Sequence, residues 1–195
     1  MSARMISRLF LVALAVGLPA VAAAQAPLVT VPGAGTLGFG SSCLSYNDDG
    51  SSASIDITSA FPGGLRFFSG TYTNMFVDTN GNISFYGAEP TFTPAAFPRT
   101  GQPMIAPYWA DVDIRFHGSC MGGVGTGSSG SGPCLDPADN DVWWYMETGR
   151  IIVTWYNVGY YSCHNDHRMS FQLILTANEI GIHALRGGDV VNLEP

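Results

Sequence analysis

The sequence predicts an all-β fold, an antiparallel β-sandwich-like single domain with long Pro/Gly-rich loops. Short segments rich in aromatic and β-branched residues follow one another along the chain, and several of them alternate apolar with polar side chains. No window has a sustained helical period, because glycine and proline interrupt every candidate helix. Strands with one apolar face need a covering layer, so we expect two packed sheets.

Residues 1–24 have the pattern of a secretory signal peptide. Arg4 and Arg8 precede a short apolar run, and a small-residue zone at 22–26 predicts cleavage after Ala24. No later stretch is long enough for a membrane helix. We therefore expect a secreted or cell-surface protein with no membrane span after signal cleavage.

The chain is acidic and contains no lysine. Without the two arginines of the signal, six basic residues face fifteen acidic ones, which gives a net charge of −9. An acidic surface disfavours nucleic acid and anionic lipid as partners. The absence of lysine excludes Schiff-base chemistry and a phosphate-loop lysine.

Four segments organise the chain from end to end. After the signal, residues 25–62 are predicted to be a Pro/Gly-rich N-terminal arm and lead-in, residues 63–185 the β domain and residues 186–195 a disordered tail. Two long connections interrupt the domain: an ordered proline-rich crossover at 88–103 and a flexible Gly/Ser loop at 121–133.

The domain's strands are predicted from their residue types. Asn80-Gly81 favours a two-residue hairpin turn, which would put Phe76 opposite Phe85 with both rings in the core. Glu147-Thr-Gly-Arg150 predicts a second hairpin. The predicted strands are 64–68, 72–77, 83–85, 142–146, 151–156 and a central one at 169–176.

The segment from Met104 to Phe116 alternates in type and is predicted to be a strand with two different faces. The predicted core face consists of Tyr108, Ala110, Val112, Ile114 and Phe116. The opposite face, a predicted interaction surface, consists of Trp109, Asp111, Asp113 and Arg115.

Four motifs occur in an order that resembles the NIDO domain, the extracellular module named for nidogen. They are Asn80–Phe85, Met104–Asp113, Ile151–Tyr161 and Phe171–Leu175, within a stretch from about 64 to 177. The resemblance implies a secreted, non-catalytic, all-β module of cell–matrix adhesion, with an unidentified extracellular protein or glycan as its partner. The family pattern continues with a further strand after Leu175, and its weakness here suggests a truncated chain with an open sheet edge.

The four cysteines of an exported chain are expected to form disulfides. Cys120 and Cys134 bracket the Gly/Ser loop, which would make Cys43 and Cys163 the other pair, although four cysteines allow three pairings. Zinc is the competing interpretation of Cys163-His-Asn-Asp-His167 with His117, but its spacing matches no closed zinc site.

No cofactor is expected, and calcium is the alternative. Asp78-Thr-Asn-Gly-Asn82 resembles the opening of a calcium loop but lacks the later bidentate glutamate, so we prefer a turn. Asn47-Asp-Asp-Gly50 is also rich in oxygen ligands, and we prefer a solvated turn there as well. A second function class remains open. Asp111 and Asp113 could act as paired carboxylates in a secreted carbohydrate-binding or glycoside-hydrolysing protein that uses exposed tryptophans.

Overall fold

The structure, a computed structural model, describes residues 27–44, 46–97, 99, 101–115, 141–162, 164–177, 180–184 and 191–193. Its described part is built from strands, turns and loops, and contains no helix that could cross a membrane. The strands are β1 (Ser42–Cys43), β2 (Ile55–Asp56), β3 (Leu65–Phe67), β4 (Gly70–Tyr72), β5 (Asn74–Asp78), β6 (Asn82–Ser84), β7 (Met104–Ile105), β8 (Val112–Asp113), β9 (Asp141–Glu147), β10 (Arg150–Tyr160), β11 (His164–Thr176), β12 (Ile180–Ala184) and β13 (Val191–Leu193).

The strands form three antiparallel sheets. The largest has the order β1-β9-β10-β11-β12-β13, with β8 paired to the end of β10. A four-stranded sheet has the order β2-β5-β6-β7, and β3 and β4 form a separate hairpin. The all-β, antiparallel prediction is confirmed.

The core lies between the large and the four-stranded sheet. Trp155 and Phe171 from neighbouring strands of the large sheet stack with ring centroids 4.9 Å apart, and both are buried. Met75, Val77 and Ile83 of the smaller sheet belong to the same cluster and are 0% exposed. Burying these side chains supplies most of the stabilisation of such a two-layer fold, at about 25 cal/mol for each Å² of apolar surface.

The first predicted hairpin exists, but its predicted register is wrong. Asp78 pairs with Asn82 and Phe76 pairs with Ser84, so residues 79–81 form a three-residue loop with Gly81 at φ +82°. This loop length closes with a glycine in the left-handed region. Because neighbouring residues on a strand face opposite ways, Phe76 and Phe85 lie on opposite faces, and only Phe85 is fully buried.

The second predicted hairpin and the central strand are confirmed. β9 and β10 pair from Glu147 and Arg150 outward, around a turn in which Gly149 has φ +79°. β11 lies between β10 and β12, so the position beside it is filled by Ile180–Ala184. Val191–Leu193 pairs with β12, so β12 has a strand on each side, unlike the unfilled sheet position that the sequence predicts. The other residues of the predicted disordered tail, 186–190 and 194–195, lie outside the described residues.

The N-terminal arm packs on the outer face of the large sheet. Gln172 donates from Nε2 to Val29 O at 2.9 Å and accepts from Val29 N at 2.9 Å, which fixes the arm to β11. A second apolar cluster lies beneath the arm and consists of Phe39, Cys43 and Trp143, with Leu28, Leu37 and Tyr156 against it. The arm is therefore part of the packed structure.

The tryptophans of the large sheet are covered on both faces. Trp143 is 5% exposed beneath the arm, whereas Trp144 (4%) and Trp155 (0%) lie in the main core. The adjacent Trp143 and Trp144 therefore point into two different layers, as neighbouring residues on a strand do. The alternative that relied on exposed tryptophans is contradicted for these three, because the arm provides the second covering layer.

Of the four cysteines, only Cys43 lies in the described part of the chain. It is 2% exposed and is not a free thiol. Cys120, Cys134 and Cys163 lie outside the described residues, as do the Gly/Ser loop and His117. The disulfide pairing therefore stays a prediction.

Candidate interaction site

Three loops meet at the end of the four-stranded sheet and bring polar side chains together. Asn80 organises them, and it is fully buried. Its Oδ1 accepts from Val112 N at 2.9 Å, and its Nδ2 donates to Asp49 Oδ1 at 2.8 Å and to Pro90 O at 2.9 Å. We call this region the acidic loop cluster; its members are Asp48, Asp49, Asn80, Asp111, Asp113 and Arg115.

Arg115 neutralises part of the acidic loop cluster. Its Nη2 lies 2.6 Å from Asp113 Oδ2 and 2.9 Å from Asp48 Oδ2, and its Nε donates to Asp113 Oδ1 at 3.0 Å. The Asp113 side chain is 0% exposed, so it could not contact a substrate without rearrangement. Burial raises the pKa of Asp48 to about 6, with Asp113 adding to the rise and Arg115 opposing it.

Three carboxylates of the cluster are close enough to hold a cation. One oxygen from each of Asp48, Asp49 and Asp111 lies within 4.8 Å of the others. Asp48 Oδ1 and Asp111 Oδ1 are shielded from solvent and have no hydrogen-bond partner. Hard oxygen ligands of this kind suit calcium. Calcium binding stays an expectation, and the residues that would bind the ion are these three carboxylates rather than the loop at 78–82.

The calcium-loop interpretation of residues 78–82 does not fit the contacts of Asp78. That carboxylate lies in the interior and accepts from Ser51 Oγ, from Ser84 Oγ at 2.8 Å and from Glu89 N at 2.9 Å. Burial raises the pKa of Asp78 to about 7 against the effect of these donors. Its oxygens are thus used within the fold, as expected for a structural turn.

The structure brings the four predicted surface residues together but does not display them as one exposed face. Trp109 is partly buried and donates from Nε1 to Thr91 O at 2.7 Å, and its ring packs against Phe97. Asp111 is half-buried, Asp113 is buried and Arg115 is 24% exposed.

Within the predicted core face, Val112 and Ile114 are buried as expected, whereas Tyr108 is 43% exposed. The alternation fails because the described part of this segment is not one continuous strand: Met104–Ile105 and Val112–Asp113 are short strands, and the residues between them form a loop. This loop lies over the 79–81 turn, where Tyr108 N and Ala110 N donate to Gly81 O and Asn80 O. Phe116 lies outside the described residues.

Two histidines of the zinc interpretation are described, and both are exposed. His164 stacks on Tyr160, and its Nδ1 lies 2.8 Å from Tyr161 O. His167 Nε2 lies 3.5 Å from Asp166 Oδ2. The other proposed zinc ligands lie outside the described residues, so these contacts describe only the two imidazoles.

An open cavity of about 750 Å³ lies at the side of the four-stranded sheet. Three connections build it: the β3–β4 hairpin, the segment after β6 and the proline-rich crossover that leads to β7. We call it the aromatic groove; the side chains that define it are Phe67, Phe68, Tyr72, Tyr86, Phe97 and Arg99. None of them is among the predicted site residues.

The rings of the aromatic groove differ sharply in exposure. Tyr72 is buried and stacks on Phe85 at 4.5 Å, so it forms a fixed wall. Phe68, Tyr86 and Phe97 are 83%, 67% and 55% exposed and surround the opening. A surface patch of this kind marks a contact site more often than a lone exposed ring does.

Among the described residues that line the groove, Arg99 supplies the positive charge. Arg99 Nη1 lies 3.0 Å from Glu89 Oε1, and its guanidinium carbon is 5.4 Å from the centroid of Trp109. The guanidinium has five N–H donors, and the Glu89 contact uses a small part of that capacity. An anionic group could therefore bind beside the aromatic rings.

Residues 73–185 match the family model described as Nidogen-like domain, and the chain belongs to this family. The match begins just before β5 and ends after β12, so it contains the 79–81 turn, the acidic loop cluster's later residues and strands β8 to β12 of the large sheet. The family that the sequence motifs resemble is confirmed.

Relatives of known name agree with this assignment. Alpha-tectorin of Mus musculus is 33% identical over 140 residues, which cover 67% of this chain and 6% of the relative. Nidogen-2 of Mus musculus is 29% identical over 167 residues, which cover 75% of this chain and 11% of the relative. Nidogen of Drosophila melanogaster is 27% identical over 122 residues, which cover 59% of this chain and 9% of the relative. The chain thus spans about a tenth or less of the length of these relatives. No solved structure gives a significant match.

Proposed function

We propose that this chain is a non-catalytic extracellular module that mediates adhesion to a protein of the matrix. The observation that carries the proposal is the nidogen-like domain at 73–185, shared with relatives named nidogen and tectorin. The signal-peptide pattern at 1–24 supports an extracellular place of action. The chain covers a small share of each relative, so this proposal concerns the module alone.

The surface of the domain supports a binding role. Three of the six exposed aromatic rings in the described part of the chain, Phe68, Tyr86 and Phe97, line one open groove, where they are available to a partner. The paired-carboxylate alternative is weaker, because Asp113 is enclosed by Arg115 and fully buried. Glycoside hydrolysis needs both carboxyl groups to reach the sugar.

A binding assay tests the proposal. The chain, produced by an exporting host, is applied to immobilised cell-derived extracellular matrix with and without protease treatment of the matrix, and the same material is screened for glycoside hydrolysis. We expect saturable binding that protease treatment removes. The Asp111→Asn/Asp113→Asn double variant serves as the control for catalysis.

Three results would contradict the proposal. Binding that survives proteolysis of the matrix but is lost after glycosidase treatment would identify a glycan as the partner. A hydrolytic activity that the double variant loses would make the chain an enzyme. Absence of saturable binding to any matrix preparation would also count against the adhesion role.

A further inference from the structure

The aromatic groove has the size and wall structure of a specific binding site. Its volume of about 750 Å³ lies within the range of pockets that take defined ligands, about 300–1,000 Å³. Its rear wall is held in place by packing, because Tyr72 stacks on Phe85 and Phe67 lies 5.5 Å from the same ring. A rigid wall lowers the entropy lost on binding.

Phe68 gives an independent indication of function. It occupies the turn of the β3–β4 hairpin with φ +50°, a left-handed conformation that favours glycine or asparagine. Its ring is 83% exposed, so burial within the chain does not offset this backbone cost. Non-glycine residues in this conformation are enriched at sites that clamp a ligand.

The chemistry of the walls indicates an apolar occupant rather than a sugar. Two polar groups near the groove are already used, since Gln102 Nε2 donates to Gly87 O at 2.6 Å and Trp109 Nε1 donates to Thr91 O at 2.7 Å. Sugar hydroxyls that entered between the phenylalanines would lose water without gaining partners, which costs about 1–3 kcal/mol for each group. An aromatic ring loses little and gains edge and face contacts.

Arg99 adds a requirement for negative charge. Arg99 lines the groove, and its Nη1 lies 3.0 Å from Glu89 Oε1, which leaves the other guanidinium N–H groups for a further acceptor. A carboxylate at this position can take a bidentate geometry, which arginine favours. The combination of an apolar cavity and an adjacent arginine complements an aromatic residue that has an acidic neighbour.

We propose that the aromatic groove binds a protein segment by taking up one aromatic side chain, with a neighbouring carboxylate of that segment paired to Arg99. This proposal rests on the proposed function, since it names the chemistry by which the module would recognise a matrix protein. Phe68, Tyr86 and Phe97 close around the inserted ring. Tyr72 forms the wall behind it.

Three synthetic peptides of otherwise equal sequence test the proposal directly. The first contains tryptophan two residues from aspartate, the second has asparagine for the aspartate and the third has alanine for the tryptophan. Fluorescence anisotropy of labelled peptides against the folded chain measures affinity without altering Arg99. We expect the first peptide to bind best, the second about threefold more weakly or worse, and the third to show no binding up to about 1 mM.

Variants of exposed rings then locate the site. Tyr86→Ala and Phe97→Ala remove groove side chains that are more than half exposed, so folding should be retained and is checked by near-ultraviolet circular dichroism. We expect each to weaken the first peptide by about tenfold, the loss of roughly 1.4 kcal/mol. Phe92→Ala, at a ring that is 49% exposed and outside the groove lining, is the matched control and should change the affinity less than twofold.

The outcomes separate this proposal from the proposed function. Equal binding by the groove variants and the wild type, or no binding of any peptide, would overturn the groove assignment. If the same variants still bind matrix normally, the adhesion role stands without the groove. A glycan that binds the wild type and is lost in the Tyr86 and Phe97 variants would contradict a protein occupant.

Discussion

The acidic loop cluster and the aromatic groove are built in opposite ways. In the cluster, charged and amide side chains are turned inward and contact one another, as Arg115 contacts Asp48 and Asp113. In the groove, large apolar rings are turned outward, and Phe68 is 83% exposed. Each arrangement reverses the usual placement of its residue type.

The two regions differ in what their residues do for the fold. The cluster satisfies backbone groups of three loops, so its polar side chains stabilise the domain, with Asn80 at the centre. The exposed rings of the groove add little to stability and remain available to a partner. Substitutions in the cluster should therefore lower stability, whereas substitutions in the groove should change binding.

The largest effect is expected at the turn of the cluster. A Cβ at Gly81 would lie 1.7 Å from the carbonyl oxygen of Tyr108, and φ is +82°. Gly81→Ala should lower the free energy of unfolding by at least about 3 kcal/mol. Gly149→Ala is the matched control, because φ is +79° and nothing lies within 4 Å. It should cost about 1 kcal/mol for the backbone alone. Equal losses in urea unfolding would show that the loops are not closely packed.

Sequence patterns could predict much of this fold but not its sites. The β9–β10 hairpin and the central strand β11 follow from local residue types, since both depend on alternation and a short turn. The register at 78–82 depends on long-range contacts of Asn80 with Val112 and Pro90, which no local pattern contains.

Local sequence patterns do not predict the aromatic groove, for a similar reason. Its rings come from three separate parts of the chain, and phenylalanine at position 68 is a residue type that is common in strands. A phenylalanine followed by Ser69-Gly70 between two short strands is the one local signal, because a turn is an unusual position for it. Conversely, the conspicuous segment from Trp109 to Arg115 is mainly part of the loop packing.

A second test of the cluster removes its central side chain. Asn80→Ala leaves Val112 N without its acceptor and takes a donor from Asp49 and Pro90, all in a buried setting. We expect a loss of about 3 kcal/mol in the free energy of unfolding. Asn74→Ala is the control, because Asn74 is exposed and its Nδ2 donates to Oγ1 of the adjacent Thr73 at 3.2 Å. It should change stability by less than about 0.5 kcal/mol.

Carboxylates that are wholly or partly buried give the stability a pH dependence. Burial raises the pKa of Asp141 to about 7, although Val142 N donates to it at 2.8 Å. The native state therefore keeps a proton that the unfolded chain loses above pH 4, so stability falls as pH rises from about 4 to about 7. Asp78 and Asp48, with pKa values raised by burial to about 7 and about 6, contribute with the same sign.

Asp141→Asn tests this dependence, because an amide oxygen can still accept from Val142 N while no charge forms. At pH 8 the variant should be more stable than the wild type by on the order of 2 kcal/mol, and the advantage should shrink towards pH 4. Asp166→Asn is the control: Asp166 is exposed and a hydrogen bond from Tyr160 lowers its pKa, so its substitution should give no gain in stability at pH 8. A variant advantage that is independent of pH would refute the assigned ionisation.

The smallest effect is expected at the mouth of the groove, where stability and binding should separate. Phe68→Gly relieves the left-handed φ of +50°, whereas Phe68→Ala keeps that cost, and both remove a ring that is 83% exposed. The free energy of unfolding of the glycine variant should therefore be about 1 kcal/mol higher than that of the alanine variant. Both variants should lose affinity for the aromatic peptide. Urea unfolding and peptide anisotropy on the same preparations measure the two effects. If the glycine variant is no more stable than the alanine variant, the backbone at Phe68 is not strained, and exposure alone distinguishes this ring from its neighbours.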